Sequence, residues 1–130
     1  MIAVVAGVVV RNGRVLVCQR PPGKALGLLW EFPGGKLEAG ESPEAALERE
    51  LWEELRVRTR TGRILDALRV KSAKDNQDLL VLFYQSEILS GEPEPLECVA
   101  LAWALPGEIE RYALAPADAQ FARRAFRSDI

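Results

Sequence analysis

The sequence predicts a single domain of the α+β class, built as a sandwich of helices and strands. Strand-like runs occur before and after one internal helical segment, and a second helical segment lies near the end of the chain. No repeat, linker or low-complexity stretch divides the sequence. Because 130 residues suffice for one domain with a substantial core, we expect residues 1–130 to form that one domain.

The chain is predicted to begin with a β-hairpin. Two apolar runs, residues 4–10 and 14–19, flank Asn12-Gly13, which is a strong signal for a two-residue turn. The first run is too short to span a bilayer and lacks the basic region and cleavage site of a signal peptide. We therefore expect a buried strand here, followed by a loop over residues 21–27 that is rich in proline and glycine.

Residues 43–55 are predicted to form the internal helix. Ser42 is a typical N-cap, and Pro43 fits the first helical position, where its missing N–H costs nothing. The residues that follow are good helix formers. The apolar stripe expected to face the core consists of Leu47, Leu51 and Leu55.

Three glutamates lie on the neighbouring face of this helix. Glu50 is three residues from Glu53 and four from Glu54, so the three side chains are close in space. Like charges repel at this spacing unless a cation lies among them, and hard divalent ions prefer oxygen ligands of this kind. The alternative is a solvated acidic face with salt bridges, for example between Arg49 and Glu53.

The remaining elements are mostly strands. A continuous apolar run over residues 79–84 indicates a central strand that is buried on both faces. The last helix is expected to begin at Pro116 and to continue to about Arg127, with Phe121 and Phe126 facing inward. Between these, the pattern predicts strands at residues 57–61, 64–70 and 98–104, a break at Gly62, loops at 71–78 and 91–95, and a helical turn at 106–111.

Composition excludes several classes of function. The net charge of −2 gives no electrostatic reason to bind bulk nucleic acid or an acidic membrane. Histidine is absent, which excludes histidine-based metal sites and Ser-His or Cys-His triads. Cys18 and Cys98 are far apart in sequence, so we expect reduced thiols, no disulfide and a cytoplasmic protein.

The glycine-rich segment and the acidic helix together resemble a known signature. Gly35, five residues, Glu41, seven residues and the run Arg49-Glu50-Leu51-x-Glu53-Glu54 are similar to the signature of the Nudix hydrolases. This resemblance implies the Nudix fold, an α/β/α sandwich with a mixed sheet and a smaller antiparallel sheet between helices. One position departs, because Arg56 stands where the family usually has glycine. Either Arg56 adopts a left-handed conformation at a cost of ~1 kcal/mol, or the helix ends with a different geometry.

Two further segments resemble the MutT-like branch of the family, namely residues 30–36 and 112–118. The resemblance implies Mg²⁺-dependent hydrolysis, with Mn²⁺ as an alternative, of a nucleoside triphosphate such as 8-oxo-dGTP to the monophosphate and pyrophosphate. Such an enzyme contributes to nucleotide-pool sanitation and DNA repair. The alternatives are a CTP, dCTP or 5-methyl-dCTP pyrophosphohydrolase, another nucleoside diphosphate-X hydrolase, or a non-catalytic Nudix-like binding module. The sequence leaves monomer and homodimer equally open.

The resemblance also implies a set of metal-binding and catalytic residues. Its general base is either Glu50 or Glu97. For Glu97, an exposed acid at a strand edge is an equally good interpretation. The implied ligands are the side chains of Glu50, Glu53, Glu54 and Glu97 and the backbone carbonyl near Gly34 or Gly35.

The same resemblance implies supporting roles around the phosphates. Arg49 is expected to orient the carboxylates of Glu41 and Glu53 rather than to touch substrate. Lys36 is expected near a phosphate or as a support of its loop. Arg20 is expected near the phosphate and sugar, although an arginine that ends a strand is more often solvated.

Two residues are implied to form the base pocket. Phe32 offers an apolar face for the base, and packing in the core is an equally good interpretation of this residue. Asp118 lies where a side chain reads the base edge, or is a first-turn acid favoured by the helix dipole. An ionised carboxylate accepts hydrogen bonds from the amino group of cytosine or guanine, so cytosine nucleotides remain open as substrates.

Overall fold

A computed structural model of the chain describes residues 1–126 and shows seven strands, two α-helices and one 3₁₀-helix in that range. Within these residues, no helix is both long and apolar enough to cross a membrane. The elements in chain order are β1 (Ile2–Arg11), β2 (Arg14–Gln19), β3 (Trp30–Glu31), β4 (Gly34–Lys36), α1 (Pro43–Leu55), β5 (Arg58–Lys71), β6 (Asp78–Ser90), β7 (Ala100–Ala104), the 3₁₀-helix (Pro106–Arg111) and α2 (Pro116–Ala125).

Strand β1 connects two sheets. Along most of its length it pairs in parallel with β6, and it pairs antiparallel with the short β4. Strand β5 extends this mixed sheet by antiparallel pairing with β6. At its end, β1 turns into β2, which also pairs antiparallel with β3 and β7. The mixed sheet and the smaller antiparallel sheet expected from the family resemblance are therefore both present.

The two faces of the sheets carry separate cores. On the face covered by α1, the core includes Leu47, Leu51 and Leu55 of the helix together with Val5 and Leu16. These three leucines are the predicted apolar stripe, and each is at most 1% exposed. The opposite face, covered by α2 and the 3₁₀-helix, is packed with aromatic rings at its centre: Phe32, Phe83 and Phe121.

The hairpin turn and the first helix match the prediction closely. Asn12 and Gly13 both have positive φ, 53° and 75°, as a two-residue turn of this kind requires. Helix α1 runs from Pro43 to Leu55, and the Ser42 hydroxyl accepts a hydrogen bond from the Ala45 N–H at 3.1 Å. Local sequence signals decide both features, which is why sequence alone predicted them.

Other boundaries differ from the prediction. The predicted break at Gly62 is wrong, because β5 is one continuous strand with irregular register between Thr61 and Asp66. Strand β6 is longer than the apolar run, and β7 begins at Ala100 rather than at residue 98. Helix α2 ends at Ala125, while Arg127, the predicted end, lies outside the described residues.

Arg56 adopts the left-handed conformation that was one expected outcome for a residue other than glycine at this position. Its φ is 57°, and its N–H donates to the Trp52 carbonyl at 3.0 Å, which closes the last turn of α1. The side chains of Arg56 and Arg58 lie over the Trp52 ring, with the Arg58 guanidinium 3.8 Å from the ring centroid. The helix therefore ends where the family glycine would end it.

Candidate active site

The glycine pair brings backbone against the acidic helix. Strand β4 pairs with β1, and a Cβ on Gly34 would overlap the carbonyl oxygen of Val5. A Cβ on Gly35 would overlap the carboxylate of Glu50. Close approach to backbone therefore requires glycine at position 34, whereas a side chain at position 35 would displace the Glu50 carboxylate. The backbone at residue 35 thus lies directly beside a predicted metal ligand.

Arg49 is the centre of an ion-pair network. Its Nε donates to Glu41 Oε2 at 2.7 Å and its Nη2 donates to Glu41 Oε1 at 3.0 Å, a two-point contact. Its Nη1 donates to Glu50 at 2.9 Å and to Glu53 at 3.2 Å, and a further bond reaches the Lys36 carbonyl. The guanidinium holds the pKa of Glu41 down to about 2.

This geometry agrees with the predicted orienting role of Arg49. The salt-bridge alternative for the acidic face is also present in part, since Arg49 pairs with Glu53 at four residues' separation. A single guanidinium that contacts carboxylates from the loop and from two turns of the helix fixes their relative positions. Because one positive charge meets the four carboxylates of Glu38, Glu41, Glu50 and Glu53, the network retains net negative charge.

Glu54 is more buried than the carboxylates that pair with Arg49. Burial raises its pKa strongly, and the hydrogen bond with Glu50 and the charges of Glu50, Glu31 and Glu97 raise it further. All of these largest influences raise the pKa. A cation placed among these carboxylates would relieve this repulsion.

Glu97 reaches this region on the loop between β6 and β7. Its residue is exposed, and the loop is tied to the end of α1 because the Leu96 N–H donates to the Glu54 carbonyl at 3.3 Å. Glu97 lines a cavity of about 140 Å³ together with Glu31 and Glu54. The structure thus brings Glu97 near the helix, although it lies in a loop and not at a strand edge.

Glu31 was not predicted as a site residue, yet it lines both the small cavity with Glu54 and the larger cavity with Asp118. Burial raises its pKa, whereas its ion pair with Arg20, at 3.0 Å, lowers it. A sequence signal existed, because a charged residue interrupts the apolar stretch Leu29-Trp30-x-Phe32-Pro33. Arg20, predicted near the phosphate and sugar, is thus paired with Glu31 and also donates to the Ala25 carbonyl.

A cavity of about 660 Å³ opens beside these carboxylates, on the side of α2. Its lining includes Arg20, Glu31, Lys36 and Asp118. A larger cavity of about 880 Å³ lies between β5, β6 and α2, away from the acidic helix. We assign the site to the 660 Å³ cavity, because its lining includes Gly35, which lies against the Glu50 carboxylate, and Glu31, which it shares with the small cavity that contains Glu54.

Asp118 and Phe32 meet at this cavity. The Asp118 carboxylate accepts a hydrogen bond from the Phe32 N–H at 3.0 Å. Burial raises the pKa of Asp118 to about 7, and the Glu31 charge adds to the increase, while the Phe32 hydrogen bond opposes it. The Phe32 ring is 3% exposed and packs edge-on against Phe83 and Phe121, so the core-packing interpretation holds for most of its surface.

The donor set is chemically suited to a hard divalent cation, since it consists of carboxylates and one nearby backbone segment. Among residues 1–126, however, no group of three or more acidic or cysteine side chains is arranged to hold one ion together. Glu50 and Glu54 interact directly, whereas Glu53 is half-exposed and faces Arg49. The carboxylates are therefore gathered along one edge without forming a closed cage.

The fold and the site together define an α/β/α sandwich with a carboxylate-rich site beside a cavity. The NUDIX domain model matches residues 1–125. The chain is 36% identical over 120 residues to the CTP pyrophosphohydrolase of Escherichia coli, covering 91% of this chain and 86% of that protein. It is 32% identical over 126 residues to the 8-oxo-dGTP diphosphatase of Haemophilus influenzae, covering 95% and 90% respectively.

A solved structure agrees with these relatives. The solution structure of the Escherichia coli ORF135 protein superposes with a TM-score of 0.77 at 34% identity, covering 100% of this chain and 95% of that one. The chain belongs to the Nudix family and is a MutT-like Nudix hydrolase. Nudix hydrolases generally use a divalent metal ion and act on small-molecule nucleotides, and this description applies to the chain.

Proposed function

We propose that this chain is a Mg²⁺-dependent nucleoside triphosphate pyrophosphohydrolase, with Mn²⁺ as an alternative ion. It would convert an oxidised nucleotide such as 8-oxo-dGTP to the monophosphate and pyrophosphate. The observation that carries the proposal is the contact of Glu50 with Glu54, which raises the pKa of Glu54, close to Gly35 in the lining of the cavity that contains Asp118. The similarity to an 8-oxo-dGTP diphosphatase supports the choice of substrate.

The proposed ligands are the predicted ones. Glu54 and Glu50 supply oxygen atoms at the buried end of the site, and the backbone near Gly34 and Gly35 lies against Glu50. Glu53 and Glu97 are more exposed and would complete the set from the helix and the loop. When bound there, Mg²⁺ neutralises phosphate charge and lowers the pKa of an attacking water.

The chain's own residues would position this chemistry. Arg49 holds Glu50 in place through its Nη1 and holds the loop through Glu41. The attacking water would give its proton to Glu50 or to Glu97, the first fixed by an ion pair and the second carried on a loop. A comparison of Glu50→Gln with Glu97→Gln separates these assignments, since loss of the base flattens the pH profile of kcat.

Lys36 and Arg20 are the cationic residues proposed for the phosphates. Both line the 660 Å³ cavity, and Lys36 is exposed at the end of β4. Arg20 is held by Glu31, which directs its guanidinium and offsets part of its charge. We therefore expect Lys36 to contribute more to phosphate binding than Arg20 does.

A second candidate is a CTP, dCTP or 5-methyl-dCTP pyrophosphohydrolase. Asp118 favours it, because an ionised carboxylate accepts a hydrogen bond from the cytosine amino group and a neutral one also donates. The similarity to a CTP pyrophosphohydrolase points the same way. In either case we propose that the base lies against the edge of Phe32, next to Asp118. Another nucleoside diphosphate-X hydrolase and a non-catalytic binding module rank behind these two.

We further propose that residues 1–130 act as one domain in the cytoplasm, as a monomer or homodimer, with neither bulk nucleic acid nor membrane as a partner. The net charge of −2 supports the last point. The free thiols of Cys18 and Cys98 agree with a reducing compartment.

The function is tested by a product-release assay on the purified protein with Mg²⁺ and, separately, Mn²⁺. The panel consists of 8-oxo-dGTP, dGTP, CTP, dCTP, 5-methyl-dCTP, ADP-ribose and diadenosine polyphosphates. The proposal expects monophosphate plus pyrophosphate with the highest kcat/KM on 8-oxo-dGTP. A preference for cytosine nucleotides would select the second candidate, and no turnover with either ion would select the binding module.

A further inference from the structure

We propose that Cys18 and Cys98 form a reversible disulfide by exchange with a small-molecule disulfide. The juxtaposition that supports this is that Cys18 and Cys98 line the same small cavity, which is also lined by Glu54 and Glu97. Nothing in the hydrolytic chemistry proposed above uses either thiol. The expected effect on turnover rests on that proposed function, whereas formation of the disulfide does not.

The fold brings together two cysteines that are distant in sequence. Cys18 lies in β2 and is 3% exposed, and Cys98 lies half-buried two residues before β7. Both pack into the core beneath α1, and both line the cavity of about 140 Å³. The Val99 N–H donates to the Gln19 carbonyl at 3.0 Å, so the backbones beside the two cysteines are already hydrogen-bonded.

The cavity gives a small reagent access to Cys98. It has a volume of about 140 Å³, and its lining includes Arg20 and Lys24 as well as acidic residues. Cys98 is the more exposed of the two thiols and is the one that meets the reagent first. The buried Cys18 is protected until a partner sulfur is attached to its neighbour.

The exchange is balanced in atoms and electrons. The sulfur of Cys98 attacks one sulfur of the reagent disulfide, forming a mixed disulfide and releasing one reagent thiol. The sulfur of Cys18 then attacks Cys98, forming the Cys18–Cys98 bond and releasing the second thiol. The two protein thiols lose two protons and two electrons, and the reagent disulfide gains them.

The bond would move the loop that carries Glu97. A covalent bond holds two sulfurs closer than two thiols in contact, so residue 98 is drawn towards β2. The Cys98 thiol would also lose its hydrogen bond to the Ala100 carbonyl, now 3.4 Å. Because Glu97 is adjacent and Leu96 is bonded to Glu54, we expect turnover to fall at least about tenfold, as small misplacements at a reacting centre do.

The test treats the full-length protein with oxidised glutathione and follows intact mass, a non-reduced peptide map and pyrophosphate release. The wild type is expected to lose the mass of two hydrogens, to yield a joined Cys18–Cys98 peptide, and to regain its activity with dithiothreitol. Cys98→Ser is the matched control and is expected to keep both its mass and its activity. Cys18→Ser is expected to stop at the glutathione adduct on Cys98.

Three results would overturn the proposal: unchanged free thiols in the wild type, a lasting glutathione adduct without the internal bond, or a cross-linked dimer. An internal disulfide with unchanged turnover would overturn its effect on the site. If the reduced protein hydrolyses none of the nucleotides, the proposed function fails, but mass and peptide map still decide whether the disulfide forms. Should Cys18→Ser not fold, the wild type and Cys98→Ser suffice.

Discussion

The end of α1 and the start of α2 each hold a carboxyl group with a raised pKa, but the causes differ. Glu54 is partly buried beside Glu50, Glu31 and Glu97, so its neighbours add negative charge to the cost of burial. The pKa of Asp118 is raised mainly by burial, whereas the hydrogen bond that its carboxylate accepts from the Phe32 N–H favours the ionised form. A cluster of like charges is relieved by a cation, whereas a solitary buried carboxyl is relieved by a proton or a donor.

This difference separates the two halves of the proposed reaction. The side of α1 is suited to holding an ion and phosphates, and the side of α2 is suited to reading a neutral base. The aromatic core behind Phe32 keeps the second side dry and fixed in position. Each of the following variants changes one half and leaves the other as a control.

The largest effect is expected for Glu54→Gln. Removing one charged ligand should lower kcat about 10³-fold, equivalent to ~4 kcal/mol of transition-state stabilisation. Glu53→Gln should also abolish most turnover, and circular dichroism should show an intact fold in both variants. Glu44→Gln, an exposed acid at the start of the same helix, is the matched control. Activity close to wild type in either ligand variant would remove that residue from the site.

The next effect concerns Asp118 and pH. Its pKa is raised from 3.8 to about 7 in the folded state, so the folded protein binds this proton more tightly than the unfolded chain does. The stabilisation is therefore complete below pH 3.8 and is lost as the pH rises to about 7. Relative to Asp118→Asn, wild-type stability should fall by roughly 1.4 kcal/mol per pH unit within this window.

Urea unfolding of both proteins at roughly pH 4.5 to 8 provides this comparison. The charges of Glu31 and Arg20 both influence the pKa of Asp118, and both residues are unchanged in Asp118→Asn. Subtracting the two curves therefore isolates the Asp118 carboxyl. Parallel curves across the window would show that its pKa is not raised.

Metal-dependent stabilisation should distinguish the halves directly. A ligand at a hundred times its dissociation constant stabilises a folded protein by about 2.7 kcal/mol. We expect Mg²⁺ to stabilise the wild type and Asp118→Asn to a similar extent, and Glu54→Gln much less. Thermal unfolding with and without Mg²⁺ measures this difference. Equal stabilisation of all three proteins would place the ion elsewhere.

The smallest effect is expected for Arg49→Lys. A lysine keeps the positive charge but loses the planar group that contacts Glu41 at two points and Glu50 and Glu53 at one each. Stability should fall by about 1 kcal/mol, since these pairs are partly exposed. Turnover should fall more than KM changes, because the carboxylates lose their orientation. An unchanged kcat would mean that Arg49 only stabilises the loop.

Several features followed from the sequence because short-range chemistry decides them. Asn12-Gly13 determines the hairpin, Ser42 and Pro43 begin α1, and leucines at helical spacing place its buried face. Glycines at 34 and 35 and glutamates at 50, 53 and 54 carried the family resemblance, and the family is confirmed. The spacing of side chains along one helix is a local property, so no knowledge of the fold was needed.

What the tertiary structure decided are contacts between segments that no local pattern links. The meeting of Asp118 with the Phe32 N–H, of Cys18 with Cys98, and of Glu31 with Arg20 depends on how α2, the loop before β7 and β3 pack around β2. The same holds for the pKa values, because burial and neighbouring charge arise only in the folded chain. Sequence by itself therefore determined which groups are available, and packing alone decided which of them share an environment and with what charge.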